Sequence, residues 1–109
     1  MSRIAILAAS AFAVLALAGT ANAAGFNCNQ HLNYTERTVC DNPGLSRADS
    51  QLNSVYIGVL DTAPASLRPV IEHRQLVWLS ERNSCGADVR CLWDEYRSRI
   101  WFLRNGGAY

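Results

Sequence analysis

Apolar residues return along this chain at the spacing of α-helices. Leu45, Ala48, Leu52, Val55, Tyr56, Val59 and Leu60 fall on one stripe, which predicts a helix over Leu45 to Leu60. Val89, Leu92, Trp93, Tyr96, Ile100 and Leu103 give the strongest amphipathic stripe, over Val89 to Arg104. Between them, Leu67, Val70, Ile71, Val77 and Trp78 form a broad face that Leu76 and Leu79 widen. That breadth predicts a helix touched by more than one neighbour. It starts around Pro64 to Leu67, because proline is tolerated in a first turn. No segment alternates long enough to predict a strand. The expected fold is all-α: a small disulfide-stapled helical bundle of three longer helices plus a short N-terminal helix, each antiparallel to its sequence neighbour.

Polar residues punctuate the same pattern. Thr35 is placed to cap a short helix from Glu36 to about Cys40, which Asp41-Asn42-Pro43-Gly44 stops. Gly58 weakens the next helix near its end by ~1 kcal/mol relative to Ala. Gly86 breaks the chain, and Asp88 caps or begins the last helix. Arg97, Arg99 and Arg104 suit its C-terminal half, where the helix dipole favours cations.

The first residues follow a different grammar. A positive start at Arg3, an uncharged apolar run from Ile4 to Leu17 and the small-x-small Ala21-Asn22-Ala23 read as a secretory signal peptide over 1–23. The run is short and Ala-rich for a membrane span. Thr20 follows Leu17-Ala18-Gly19, where a lipoprotein would carry its acylated cysteine. The expected product is a single helical domain over 24–109, periplasmic or secreted, not lipidated and without a membrane anchor.

All four cysteines, Cys28, Cys40, Cys85 and Cys91, follow the cleavage site. An even count in a small exported chain reads as a disulfide framework, which a core of this size needs. Neither pair has the Cys-x-x-Cys spacing of a zinc knuckle. Pairing Cys28 with Cys40 and Cys85 with Cys91 closes two local loops, each worth roughly 2–3 kcal/mol. The other pairings, which tie the N-terminal segment to the last hairpin, are also compatible with the sequence.

Charge excludes some partners. The chain has ten Lys plus Arg, all of them Arg, and nine Asp plus Glu; losing Arg3 brings the balance to zero. That argues against nucleic acid as a partner. No phosphate loop, His-Glu-x-x-His or Gly-x-Ser-x-Gly occurs. His31 and His73 are isolated, so no metal or cofactor is expected, and no enzyme.

One polar set stands out. Asp49 lies thirteen residues before Thr62, and Arg82 sixteen after Ser66. In an antiparallel pair their heights differ by roughly 4.5 Å at the helical rise. This predicts an Asp49–Arg82 ion pair, with Gln75 one to two turns below. Trp78 and Trp93 read as packing. Trp101 and Phe102 flank the last stripe; Trp101 is expected to cap the small core, the alternative being an exposed interface anchor.

The ordered residues Phe26-x-Cys28, Glu36-Arg37-x-x-Cys40, Leu45-x-x-x-Asp49-x-x-Leu52-x-x-x-Tyr56, Gln75-x-x-Trp78-Leu79-x-x-Arg82-x-x-Cys85 and Cys91-Leu92-x-x-x-Tyr96-x-x-Arg99-Ile100 resemble the LprI-type lysozyme-inhibitor domain. The resemblance implies a helical, disulfide-bonded bacterial envelope protein with a protein partner, some members of the family being inhibitors of lysozyme. The alternative is a structural or stress-related periplasmic protein with a non-lysozyme partner. The turn between Cys85 and Cys91, carrying Asp88 and Arg90, is the expected partner contact.

Overall fold

The computed structural model describes residues 25–106. The stretch expected to be a signal peptide, 1–23, lies outside the described residues. Among those described, four α-helices and one 3-10 turn account for the regular structure, with no strand: α1 Tyr34–Asp41, α2 Pro43–Thr62, the 3-10 turn Ala65–Leu67, α3 Arg68–Asn83 and α4 Val89–Arg104.

Helix α1 starts two residues earlier than the pattern suggested, because Asn33 and not Thr35 is its cap. Asn33 Oδ1 accepts from the Glu36 amide at 2.7 Å, and Glu36 Oε1 accepts from the Asn33 amide at 3.0 Å. This reciprocal box satisfies two donors that a helix start leaves free. Thr35 is thereby released for a tertiary role. Asn42 then ends one helix and begins the next: its amide donates to Thr38 O, and its Oδ1 accepts from the Leu45 amide at 3.0 Å. Pro43 sits at the start of α2, where its missing N–H costs nothing. The Ser46 hydroxyl donates to Val39 O at 2.6 Å, fixing the angle between α1 and α2. At the other end of the chain, Asp88 caps α4 by accepting from the Cys91 amide.

Helix α4 is the shared neighbour. It packs most extensively on α2 and also on α3, while α1 touches both α2 and α3. So α2 and α3, consecutive in sequence, are bridged by α4 and do not form a tight hairpin of their own. The core joins Val39 from α1, Leu45, Ala48 and Leu52 from α2, Trp78 from α3, and Leu92, Tyr96, Ile100 and Leu103 from α4. Burying each of the large apolar side chains contributes ~1.5–3 kcal/mol. The start of α2 lies very close to α4: a Cβ on Gly44 would stand 2.9 Å from Trp93 Cζ2.

The packing refines two expectations. Helix α3 buries Ile71, Trp78 and Arg82, yet Val70, Leu76 and Val77 are exposed. Helix α3 is touched by both α1 and α4, as its breadth predicts, but with α2 held away part of its broad apolar face stays uncovered. Trp101 is 66 % exposed and therefore does not cap the core. It follows Ile100 around the helix onto the outer face.

Candidate functional site

Because α2 and α3 stand apart over α4, a cleft opens between them. It holds about 340 Å³, within the range of small-molecule sites. Its walls include Phe26 before α1, Asn53 and Tyr56 from α2, and Gln75, Trp78 and Asn83 from α3. Asp49 and Arg82 also line it, and Glu36 stands at the α1 side.

Beneath the cleft is a buried polar cluster. Arg82 and Asp49 are only 3 % and 7 % exposed. Their closest approach is 3.6 Å, between Arg82 Nη1 and Asp49 Oδ1. Tyr96, rising from α4, sits with them: its hydroxyl donates to Asp49 Oδ1 at 2.7 Å and accepts from Arg82 Nη1 at 3.3 Å. The other carboxylate oxygen, Oδ2, accepts from the Gly25 amide at 2.7 Å. The guanidinium donates from Nε and Nη2 to Asn83 Oδ1 at 3.2 and 2.8 Å. It also lies 5.9 Å from the Phe26 ring and 5.8 Å from the Trp78 ring, within cation–π range. Trp78 meets Tyr96 edge-on at 5.3 Å between centroids.

The electrostatics follow from this burial. Desolvation raises the Tyr96 phenol well above its usual value, and the neighbouring Asp49 charge adds to the rise, while Arg82 opposes it. Tyr96 is therefore a neutral donor at ordinary pH. Both Asp49 oxygens are engaged, so the carboxylate anchors the cluster. The role of the cluster is to join α2, α3, α4 and the N-terminal segment through one satisfied network.

Gln75 belongs to a different contact from the one expected. It does not reach Arg82; its Oε1 accepts from Arg99 Nε and Nη2 at 3.1 and 3.0 Å. Arg99, counted with the dipole-favoured cations of the last helix, is buried, and desolvation lowers its pKa. Its guanidinium also stands 5.8 Å from the Phe102 ring. Two arginines thus tie α3, one to α2 through Asp49 and the other to α4 through Gln75. Half-buried Tyr56 is likewise raised, by desolvation first and by Glu72 second, with Arg99 pulling the other way.

The disulfides are Cys28–Cys40 and Cys85–Cys91, with separations of 12 and 6 residues in sequence. The first pins the N-terminal segment to α1. The second clamps the turn into α4. This turn is braced from α1, where Thr35 Oγ1 lies 3.1 Å from Asn83 O and 2.9 Å from Gly86 O and donates to them. Gly86 adopts φ +60°, the left-handed region that glycine enters freely. Asp88, the cap, and Arg90, in the first turn of α4, are both exposed, and only Asp88 has a structural task there. Arg90 has no side-chain hydrogen bond or ion pair among the described residues. His31 and His73 are exposed, and the described residues contain no group of three or more potential metal ligands.

Sequence reasoning missed Tyr96 and Gly25 as partners of Asp49, and Arg99 as the partner of Gln75. Tyr96 was hidden because it occupies an apolar stripe position, and its polar tip becomes relevant only when the stripe faces α2 and α3 together. Two disulfides fit an oxidising compartment. No helix among the described residues is long and apolar enough to cross a membrane. Compared with known proteins, the chain matches no family model, no curated protein and no solved structure.

Proposed function

We propose that this chain is an exported bacterial envelope protein that binds and blocks a lysozyme-type muramidase, after removal of a signal peptide over 1–23. The observation that carries the reading is the Cys85–Cys91 turn. It is covalently clamped, braced by Thr35, and presents Arg90 with no partner among the described residues. A muramidase cleaves its glycoside between two carboxyl groups that flank a cleft. A guanidinium on a rigid protrusion is the complementary charge, and a carboxylate fork is its preferred acceptor. Rigidity supports binding because little conformational freedom is lost on association. The sequence resemblance to the lysozyme-inhibitor domain supports the same partner.

The test is a lysozyme turbidity assay with purified, oxidised 24–109 chain. Inhibition at micromolar concentration is expected, with Arg90→Ala weakening it at least tenfold. Asp88 also caps α4, so its contribution is tested with Asp88→Ser, which keeps a capping oxygen. Absence of inhibition by the folded protein rejects the reading. Inhibition unchanged in both variants moves the contact off this turn.

A further inference from the structure

The cleft between α2 and α3 has a polarity that its residue names alone do not reveal. Arginine has donors and no acceptor, so an amide side chain that binds a guanidinium must turn its oxygen towards it. Asn83 does this to Arg82 and Gln75 does it to Arg99, each oxygen accepting from two nitrogens of one guanidinium. The NH2 groups of both amides are left over. Neither has a hydrogen-bond partner among the described residues, and both side chains line the cleft. An indole ring stands beside them. Trp78 lines the same cleft, is 5 % exposed, and its indole Nε1 is buried with no hydrogen-bond partner.

We propose that this cleft is a binding site for a neutral, carbonyl-bearing ligand of monosaccharide size, chemically an N-acylated sugar. Donors on several sides call for a compact body with several acceptors. Phe26, Tyr56 and Trp78 supply apolar ring surface for its C–H faces. Anionic ligands are opposed by Glu36 and Asp49, which line the same space. Cationic ligands meet Arg82 and NH2 groups that only donate. The site is independent of the muramidase reading, and its test contains no lysozyme.

The experiment is a titration of 15N-labelled, oxidised 24–109 chain with N-acetylglucosamine, followed by NMR at the three tryptophan indole N–H resonances. A saturable shift at Trp78, whose ring lines the cleft, is expected, with a dissociation constant in roughly the millimolar range for a ligand of this size. Exposed Trp101 should stay unmoved. Glucose, which lacks the carbonyl, should bind at least tenfold more weakly. Gln75→Glu and Asn83→Asp keep the oxygens that hold Arg99 and Arg82 and remove the free NH2 groups. Each should weaken binding at least fivefold while the amide spectrum stays that of the folded protein. No Trp78 shift up to about 100 mM sugar, a concentration that would reveal even very weak binding, overturns the proposal. So does equal binding of glucose, or affinity unchanged in both variants.

Discussion

Replacing Asp49 by alanine tests whether the buried cluster holds the helices together. Asp49 accepts 2.7 Å hydrogen bonds from Tyr96 and Gly25 and faces Arg82 at 3.6 Å. Each hydrogen bond to a charged group contributes ~1.5–3 kcal/mol. The larger consequence falls on Arg82, a guanidinium with 3 % exposure that loses its counter-ion and keeps only Asn83, Tyr96 and two ring faces. Removing one member of a buried pair costs ~3–5 kcal/mol. A small domain has a total stability of about 5–15 kcal/mol, so Asp49→Ala should consume a large share of it. The melting temperature should fall by about 12–40 °C at ~4–8 °C per kcal/mol. The assay is urea denaturation followed by helical circular dichroism, with the disulfides intact. Arg82→Met, which keeps an apolar stem, completes a double-mutant cycle. The double variant should cost less than the sum of the singles by at least ~1 kcal/mol. A loss below ~1 kcal/mol for Asp49→Ala would refute the reasoning, because that is how a solvated surface pair behaves.

Alkaline pH should destabilise the fold in a way that Tyr96 reports. Its folded pKa is raised, so the native state keeps its proton while the unfolded chain ionises near pH 10; above about pH 10 the unfolded state binds fewer protons and stability falls by up to ~1.4 kcal/mol per pH unit. Below that pH the stabilisation is fully present, and Tyr96→Phe should flatten the alkaline decline in denaturation curves measured at successive pH values. Thr35→Val should cost ~1–3 kcal/mol in the urea midpoint by removing the donor to Asn83 O and Gly86 O, and Thr35→Ser should recover most of it. Gly44→Ala should cost ~1–3 kcal/mol by driving a methyl group into Trp93, with the smaller ring of Trp93→Phe offsetting part of the loss in the same melting experiment.

Much of the architecture is legible along the chain because local rules decide it. The α4 stripe, its Asp88 cap and the Arg104 end need only helical periodicity and capping chemistry. Asp49 opposite Arg82 follows from counting residues back from a shared turn. The same counting fails for Gln75, whose partner Arg99 comes from α4. Rise along an axis gives height and says nothing of which helix stands alongside. Placing α4 against both α2 and α3, with those two apart, also accounts for the exposed Val77 and the cleft. The Asn33 cap lost to Thr35 for a simpler reason: both residue types cap helices, and Glu36 three positions after Asn33 was the clue that completes the box. Trp101 next to Ile100 shows the limit of an apolar label, since adjacent positions on a helix point about 100° apart.

Both disulfides are short-range, and this divides the molecule covalently. One lies wholly before α2 and the other wholly after Asn83. Nothing but the main chain crosses from the first half to the second, through exposed Pro64, Ala65 and Ser66. A single proteolytic cut there would release two chains that no sulfur bond connects. They would stay together through noncovalent contacts alone: α2 against α4, α1 against α3, the Asp49 cluster and the Thr35 brace. The 24–109 chain is thus divided into two oxidised fragments of roughly equal length that can be made apart and mixed, and the strength of their reassociation would measure the noncovalent half of the fold directly.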